Sequence, residues 1–279
     1  MSGSLSFGPF SMHLVIIGCC AAIAWCAAKL LARRLPEPQQ QMAGSVLVDA
    51  LLISLLFARL GFILQWWKEY SATPFSMLAI SDGGFALWAA FPAATTYLLW
   101  KTRTYPALRR IVFIAALIGT LMWSGATWLL QLKHSQSQLP SVQVFRLDGR
   151  PLSLQAYAGR PVVINLWATW CPPCRREMPV FETAQTVFPD IAFIMANQGE
   201  TKQKVEAFLE KESLDLELVL LDPSSALMSS MKAGGLPTTL FFDAKGSLVD
   251  FHMGELTHAS LAHTVRQHFQ STETITAKE

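Results

Sequence analysis

The chain reads as a four-helix transmembrane region followed by an α/β domain with a mixed central sheet and helices on both faces. Three observations predict this. Of the 20 Asp and Glu residues, only Glu37, Asp49, Glu69 and Asp82 lie before residue 133. Four apolar stretches, each near the ~20 residues needed to cross a bilayer, fill that first half. In the second half, short continuous apolar runs alternate with polar, helically spaced segments, the pattern of a layered α/β domain. The 279 residues suit two domains, expected at 1–134 and 135–279. The net charge of +2 gives no field for nucleic acid. Five cysteines are too few for a disulfide scaffold.

The four stretches are expected at about 12–32, 43–67, 83–100 and 111–132. No basic residue precedes the first, so a cleaved signal peptide is not expected. The end of the first stretch and its link carry Lys29, Arg33 and Arg34, and the link after the third carries Lys101, Arg103, Arg109 and Arg110. The opposite ends carry only Lys68 and Lys133. The positive-inside bias therefore puts both basic links in the cytoplasm, both termini outside, and the second domain in an extracytoplasmic space. Asp49 and Arg59 lie inside the second stretch. They are expected to snorkel or to pair with neighbours, or else to mark a functional site. Cys19, Cys20 and Cys26 lie in the first. They read as small residues packed between helices, with a thiol relay as the alternative.

FGPFSMH (7–13), ARLGF (58–62) and SDGGFALWAAF (81–91) resemble the front part of prolipoprotein diacylglyceryl transferase, over about residues 7–105. Trp88, Ala89 and Ala90 stand where that family has a His-Gly-Gly segment. Its later Arg-Gly-Asn-rich motif has no counterpart. The resemblance therefore implies an anchor rather than a transferase.

SQSQLPS (135–141) reads as a polar linker. PVVINLW (161–167) suits a strand buried on both faces. A helix over about 174–188 follows. Strands are expected at 191–195 and 216–221, and helices at 201–212 and 223–232. Residues 239–242 and 247–252 flank DAKG (243–246) as a hairpin with a glycine turn. A last helix is expected over 258–269.

WATWCPPCRREMP (167–179) carries the chemistry. A structural zinc site needs four ligands, and one C-x-x-C with scattered histidines does not supply them. A static staple over so short a ring removes little chain entropy. Redox exchange remains, and C-x-x-C at a strand–helix junction is its expected setting. Cys171 at the helix N-terminus would be the exposed, attacking thiolate, stabilised by free N–H groups and the helix dipole. Cys174, one turn in and less exposed, would attack the mixed disulfide and release the product.

Residues 144–179, VFRLDGRPLSLQAYAGRPVVINLWATWCPPCRREMP, and GGLPTTLFFDAKG (234–246) resemble membrane-tethered thioredoxin-like disulfide reductases of the TlpA/ResA/CcmG kind. The resemblance implies a thioredoxin-like domain, no cofactor beyond the Cys171–Cys174 pair and no metal. It implies an extracytoplasmic location for this domain, which with the four stretches and their charge bias gives a multi-pass protein of the bacterial inner membrane with this domain in the periplasm. Its clients would be disulfide-bearing extracytoplasmic proteins, apocytochrome c among the candidates, and a transmembrane donor of the DsbD/CcdA kind would reduce it. Pro237 matches the family's cis proline, which would present the Leu236 backbone to an extended substrate. Glu177 matches an acid placed near the thiols. It would oppose the thiolate or carry its proton, or merely complement the helix dipole. Asn165 stands where cytosolic thioredoxins carry a buried acid. Trp170 would shape the substrate surface or pack at the strand end. Pro179 would kink the helix. An oxidase or isomerase, and a redox-sensing membrane module, are the alternative functions.

Overall fold

The computed structural model describes residues 6–7, 10–79, 82–134 and 137–270. Parts of the two outer transferase-like motifs, at residues 8, 9 and 81, lie outside the described residues. Contacts divide the chain into two units. One is Met12–Met77 with Gly83–Leu130, and the other holds the chain from Gln131 on, with two short earlier segments.

A two-residue ladder, β1 (Ser6–Phe7) with β2 (Phe10–Ser11), precedes the first helix. The helical unit comprises α1 (Met12–Leu31), α2 (Glu37–Gln65), α3 (Trp67–Ala72), α4 (Leu87–Lys101) and α5 (Pro106–His134). Proline opens α5 where its missing N–H has no helical partner to lose. The unit's core is small: Ala28, Ala32, Ala43, Val46, Ala50, Leu98, Leu108, Val112 and Ala115. Small residues let helix backbones approach closely. At Gly44 an added Cβ would sit 2.6 Å from Trp25 Nε1. Leu52, Leu56, Leu64, Leu117 and Leu121 face outward, each more than half exposed. The three cysteines of α1 are free thiols, Cys20 buried and the other two exposed.

Among the described residues three helices are long and apolar enough to cross a membrane, at Val15–Arg34, Glu37–Gln65 and Pro106–Leu130. The expected third stretch, 83–100, is helical only over the 15 residues of α4. At 1.5 Å per residue that is about 22 Å, short of the ~30 Å hydrocarbon core. The cause is Gly83-Gly84, which is apolar enough to count but does not begin a helix. Gly83 has φ +74°. A Cβ on Gly84 would lie 2.5 Å from Phe62 Cε1 and 2.7 Å from Arg59 Nη1, so only glycine fits. Ala86 N–H donates to Ala58 O at 2.9 Å. Two of the transferase-like motifs thus pack on one another.

Asp49 and Arg59 of α2 do not pair with each other. Asp49 accepts from Tyr97 OH at 2.8 Å. Arg59 donates to Gly84 O at 3.0 Å and Met77 O at 2.9 Å, and lies over the Tyr70 ring. Arg59→Met should leave these carbonyls without their donor, at about 1–3 kcal/mol each. A lower melting temperature of the full chain in detergent would register it.

The second unit is a seven-stranded sheet in the order β4-β3-β7-β6-β5-β8-β9. Its strands are β3 (Gln143–Arg146), β4 (Pro151–Ser153), β5 (Val162–Trp167), β6 (Ala192–Gln198), β7 (Val219–Asp222), β8 (Thr238–Phe242) and β9 (Leu248–Met253). Strands β5, β6 and β7 are parallel, and β8, β9, β3 and β4 run antiparallel to their neighbours. Every residue of β5, β6, β7 and β8 is buried, which explains why their sequences are mostly apolar without alternation. The helices are α6 (Pro172–Val187), α7 (Lys202–Glu212), α8 (Ala226–Ser230) and α9 (His258–Val265). The expected last helix is α only to Val265, and a π turn, Arg266–Gln270, completes it. Helix α6 continues through Pro179.

Two further expectations change. The β3–β4 hairpin was not foreseen. The expected linker is part of the fold from Ser137 on: Ser137 O accepts from Leu248 N–H, Leu139 N–H donates to Gly246 O at 2.7 Å, and Leu139 enters the core.

Candidate active site

Strand β5 ends at Trp167, whose ring is buried against Phe208 of α7. The chain then turns. Cys171 N–H donates to Ala168 O at 3.2 Å, leaving Thr169 and Trp170 as the centre of the turn. Cys171 is the N-cap of α6, and its sulfur accepts from Cys174 N–H at 3.3 Å. Pro172 and Pro173 fill the first helical positions, where an N–H would have no partner. Cys171 and Cys174 form a disulfide, with Cα atoms 5.3 Å apart.

Cys171 is 3% exposed and Cys174 is fully buried. The expected exposure of Cys171 is not seen in the disulfide form, where neither sulfur is open, because Cys171 Sγ turns inward to its partner and to the Cys174 N–H. Trp170 is 68% exposed, so it does not pack at the strand end. A shallow groove of about 320 Å³ beside the pair is lined by Pro172, Arg175, Arg176 and Glu212. Arg175 pairs with Glu212 and Arg176 with Glu255.

Glu177 follows Cys174 by three residues, the spacing of neighbours on one helix face. It is fully buried. Its Oε1 accepts from Asn165 Nδ2 at 2.7 Å, and its Oε2 from Leu256 N–H at 3.1 Å. Asn165 Nδ2 also donates to Thr239 Oγ1. Burial pushes the Glu177 carboxyl up to about 8, against the opposing pull of the Leu256 N–H and the Asn165 amide. At neutral pH it is mostly the uncharged acid.

The Leu236–Pro237 peptide bond is cis. Pro237 is buried and Leu236 half-buried against the core. The β5–β8 register pairs Leu166 with Thr238. One step further sets Pro237 opposite Trp167, at the sheet end from which the cysteine turn departs.

Sequence reasoning missed Glu200, which is 8% exposed. Its Oε2 accepts from Thr169 N–H at 2.7 Å and from Asn197 Nδ2 at 2.8 Å, and its Oε1 from Thr169 Oγ1 at 2.6 Å. Burial pushes its carboxyl up, but these bonds outweigh it and hold the group below the usual carboxylate range. The only local signal is Gly199 between a buried strand and a helix. Among the described residues no three His, Cys, Asp or Glu side chains gather as metal ligands would.

Residues 134–265 match the Redoxin family, and residues 4–125 match prolipoprotein diacylglyceryl transferase. The thioredoxin-like protein YneN of Bacillus subtilis is 33% identical over 124 residues, covering 43% of this chain and 72% of YneN. The thiol-disulfide oxidoreductase ResA of Geobacillus thermodenitrificans is 31% identical over 137 residues, 48% of this chain and 76% of that protein. A thioredoxin-family thiol:disulfide interchange protein from Chlorobium tepidum is similar at 24% identity over 47% of this chain and 94% of that one, with a TM-score of 0.42. The chain belongs to the thioredoxin-like thiol-disulfide oxidoreductases of the Redoxin family, joined to an N-terminal region similar to prolipoprotein diacylglyceryl transferase.

Proposed function

We propose that the protein is a membrane-tethered reductase of disulfides in exported proteins, with domains at 1–134 and 135–279. The observation that carries it is the redox pair at a helix N-cap with a buried, near-neutral-pKa acid one turn behind. The reduced Cys171 thiolate attacks a client disulfide. One client sulfur leaves as thiolate, and the other is held in a mixed disulfide with Cys171. Cys174 then attacks Cys171 Sγ, the second client sulfur leaves, and the Cys171–Cys174 disulfide forms. Two electrons pass to the client, and a transmembrane dithiol donor of the DsbD/CcdA kind restores them.

The ionised form of Glu177, a minority at pH 7 that is readily reached with the carboxyl near 8, takes the proton of Cys174 as it attacks. In the neutral form a half-turn of the Asn165 amide presents Oδ1 to the acid proton. Trp170 and the groove at Pro172 shape the client surface, and the Leu236 backbone before cis Pro237 pairs with an extended client segment.

The charge pattern supports four crossings, despite the shortness of α4. With three crossings, the basic link after α1 and the basic link after α4 would face opposite sides. With α4 crossing, both are cytoplasmic and the dithiol is periplasmic. The non-helical Gly83–Ala86 segment adds up to about 13 Å to the ~22 Å of α4. Its backbone bonds to Arg59 and Ala58 meet the condition for irregular chain at membrane depth.

Two measurements test this reading. The Cys171–Cys174 reduction potential should fall near about −270 mV, whereas a value near about −120 mV would mark an oxidase. A phosphatase active only outside the cytoplasm, fused to the carboxyl terminus, should be active. An inactive fusion with normal expression would exclude exported clients.

A further inference from the structure

We infer that Glu200 is a positioning residue for the dithiol, fixing through Thr169 the turn that presents Trp170 and Cys171. The inference rests on the reading of Cys171 as the attacking sulfur.

The argument begins at the end of β6. Gly199 has φ +74°, a conformation that favours glycine, and its N–H donates to Asp222 O. That bend returns Glu200 towards the end of β5. There the carboxylate receives the backbone N–H and the hydroxyl of Thr169, one on each oxygen. Thr169 is the first central residue of the turn closed by Cys171 N–H on Ala168 O. Two charge-assisted bonds to one residue fix both its position and its rotation. The next residue is the exposed Trp170, and the one after is the N-cap sulfur.

A structural role at α7 does not account for the geometry. Glu200 immediately precedes the α7 cap, Thr201, yet the carboxylate bonds run to Thr169 and Asn197 rather than to α7 amides. Asn197 completes the clamp. It spends one N–H on Glu200 while its buried Oδ1 has no protein partner. An orphaned buried acceptor requires a reason, and support of the carboxylate supplies one. The carboxyl's lowered pKa keeps both oxygens acceptors at working pH.

The clamp and the charge separate by substitution. In Glu200→Gln, the amide oxygen can still accept from Thr169 N–H and Asn197, and its NH2 can donate to a reoriented Thr169 hydroxyl. Glu200→Ala removes the clamp. The full chain in detergent, with dithiothreitol as reductant, would be assayed on insulin disulfides, and the pH profile of Cys171 alkylation recorded. Glu200→Ala should lower kcat/KM about tenfold or more, as misplaced reacting groups do. It should also move the alkylation midpoint upward as Cys171 Sγ leaves the Cys174 N–H. Glu200→Gln should restore kcat/KM to within about threefold of wild type. If Glu200→Ala does not fold, Thr169→Val, which deletes the hydroxyl bond alone, should show the same changes in smaller degree. Wild-type kinetics and alkylation in Glu200→Ala, or in Thr169→Val where that variant must decide, would overturn the inference. So would equal losses in the Ala and Gln variants, which would assign the effect to charge. Cys171→Ser serves as the control: if it reduces insulin at the wild-type rate, the dithiol reading itself fails, whatever Glu200 does.

Discussion

Cys171→Ser should bring disulfide exchange by the full chain down to the uncatalysed rate, while Cys174→Ala should accumulate stable mixed disulfides. The asymmetry follows from position. Cys171 is the N-cap, where its sulfur accepts the Cys174 N–H and faces the positive end of α6. A serine hydroxyl there stays protonated and does not attack. Cys174 is fully buried, so its thiolate reaches only Cys171 Sγ. Without it, the mixed disulfide has no internal route to release. Non-reducing electrophoresis of Cys174→Ala, followed by identification of the adducts, reads this directly. Adducts on Cys171→Ala but not on Cys174→Ala would reverse the order of attack.

Glu177→Gln should flatten the pH dependence of stability around the redox site. The folded carboxyl, at about 8, lies above its ordinary value of 4.5. Below pH 4.5 both folded and unfolded forms hold the proton, and stability is full. Between 4.5 and 8 only the folded form holds it, so stability falls as pH rises. Above 8 the loss is complete. At about 1.4 kcal/mol per pKa unit, the wild-type loss is on the order of 3–5 kcal/mol. Hydrogen exchange of β5 and α6 amides, corrected for intrinsic rates, should show protection falling from pH 5 to pH 9 in the wild type and nearly constant in the variant. Equal slopes would mean that Glu177 is ionised at neutral pH.

The parts of the fold legible in the sequence are those whose cause is local. Val162–Trp167 and its neighbours are buried on both faces, so they read as strands without an alternating pattern. Asp243 Oδ1 accepts from Lys245 N–H and Ser247 N–H, and Gly246 takes positive φ, so DAKG announces its turn. The cysteine pair marks the start of α6. Other features have distant causes. Strand β4 is three residues long, begins with proline and lies at the sheet edge, too little for periodicity to register. The third apolar stretch was overextended because hydropathy counts Gly83–Ala86 without sensing that Arg59 and Ala58 hold it out of a helix. Glu200 was invisible because its partner lies 31 residues away. Glu177 was found through resemblance, but its burial and its bond to Leu256, 79 residues on, were not legible.

The docking of Ser137–Leu139 on the Gly246–Leu248 corner sets where a water-soluble fragment for crystallisation should be cut. Gln155 Nε2 also donates to Leu139 O at 2.8 Å. A fragment begun at Pro140 would strip Gly246 and Leu248 of backbone partners and open a leucine-sized hole beneath the hairpin. One begun at Ser137 or earlier keeps that corner closed.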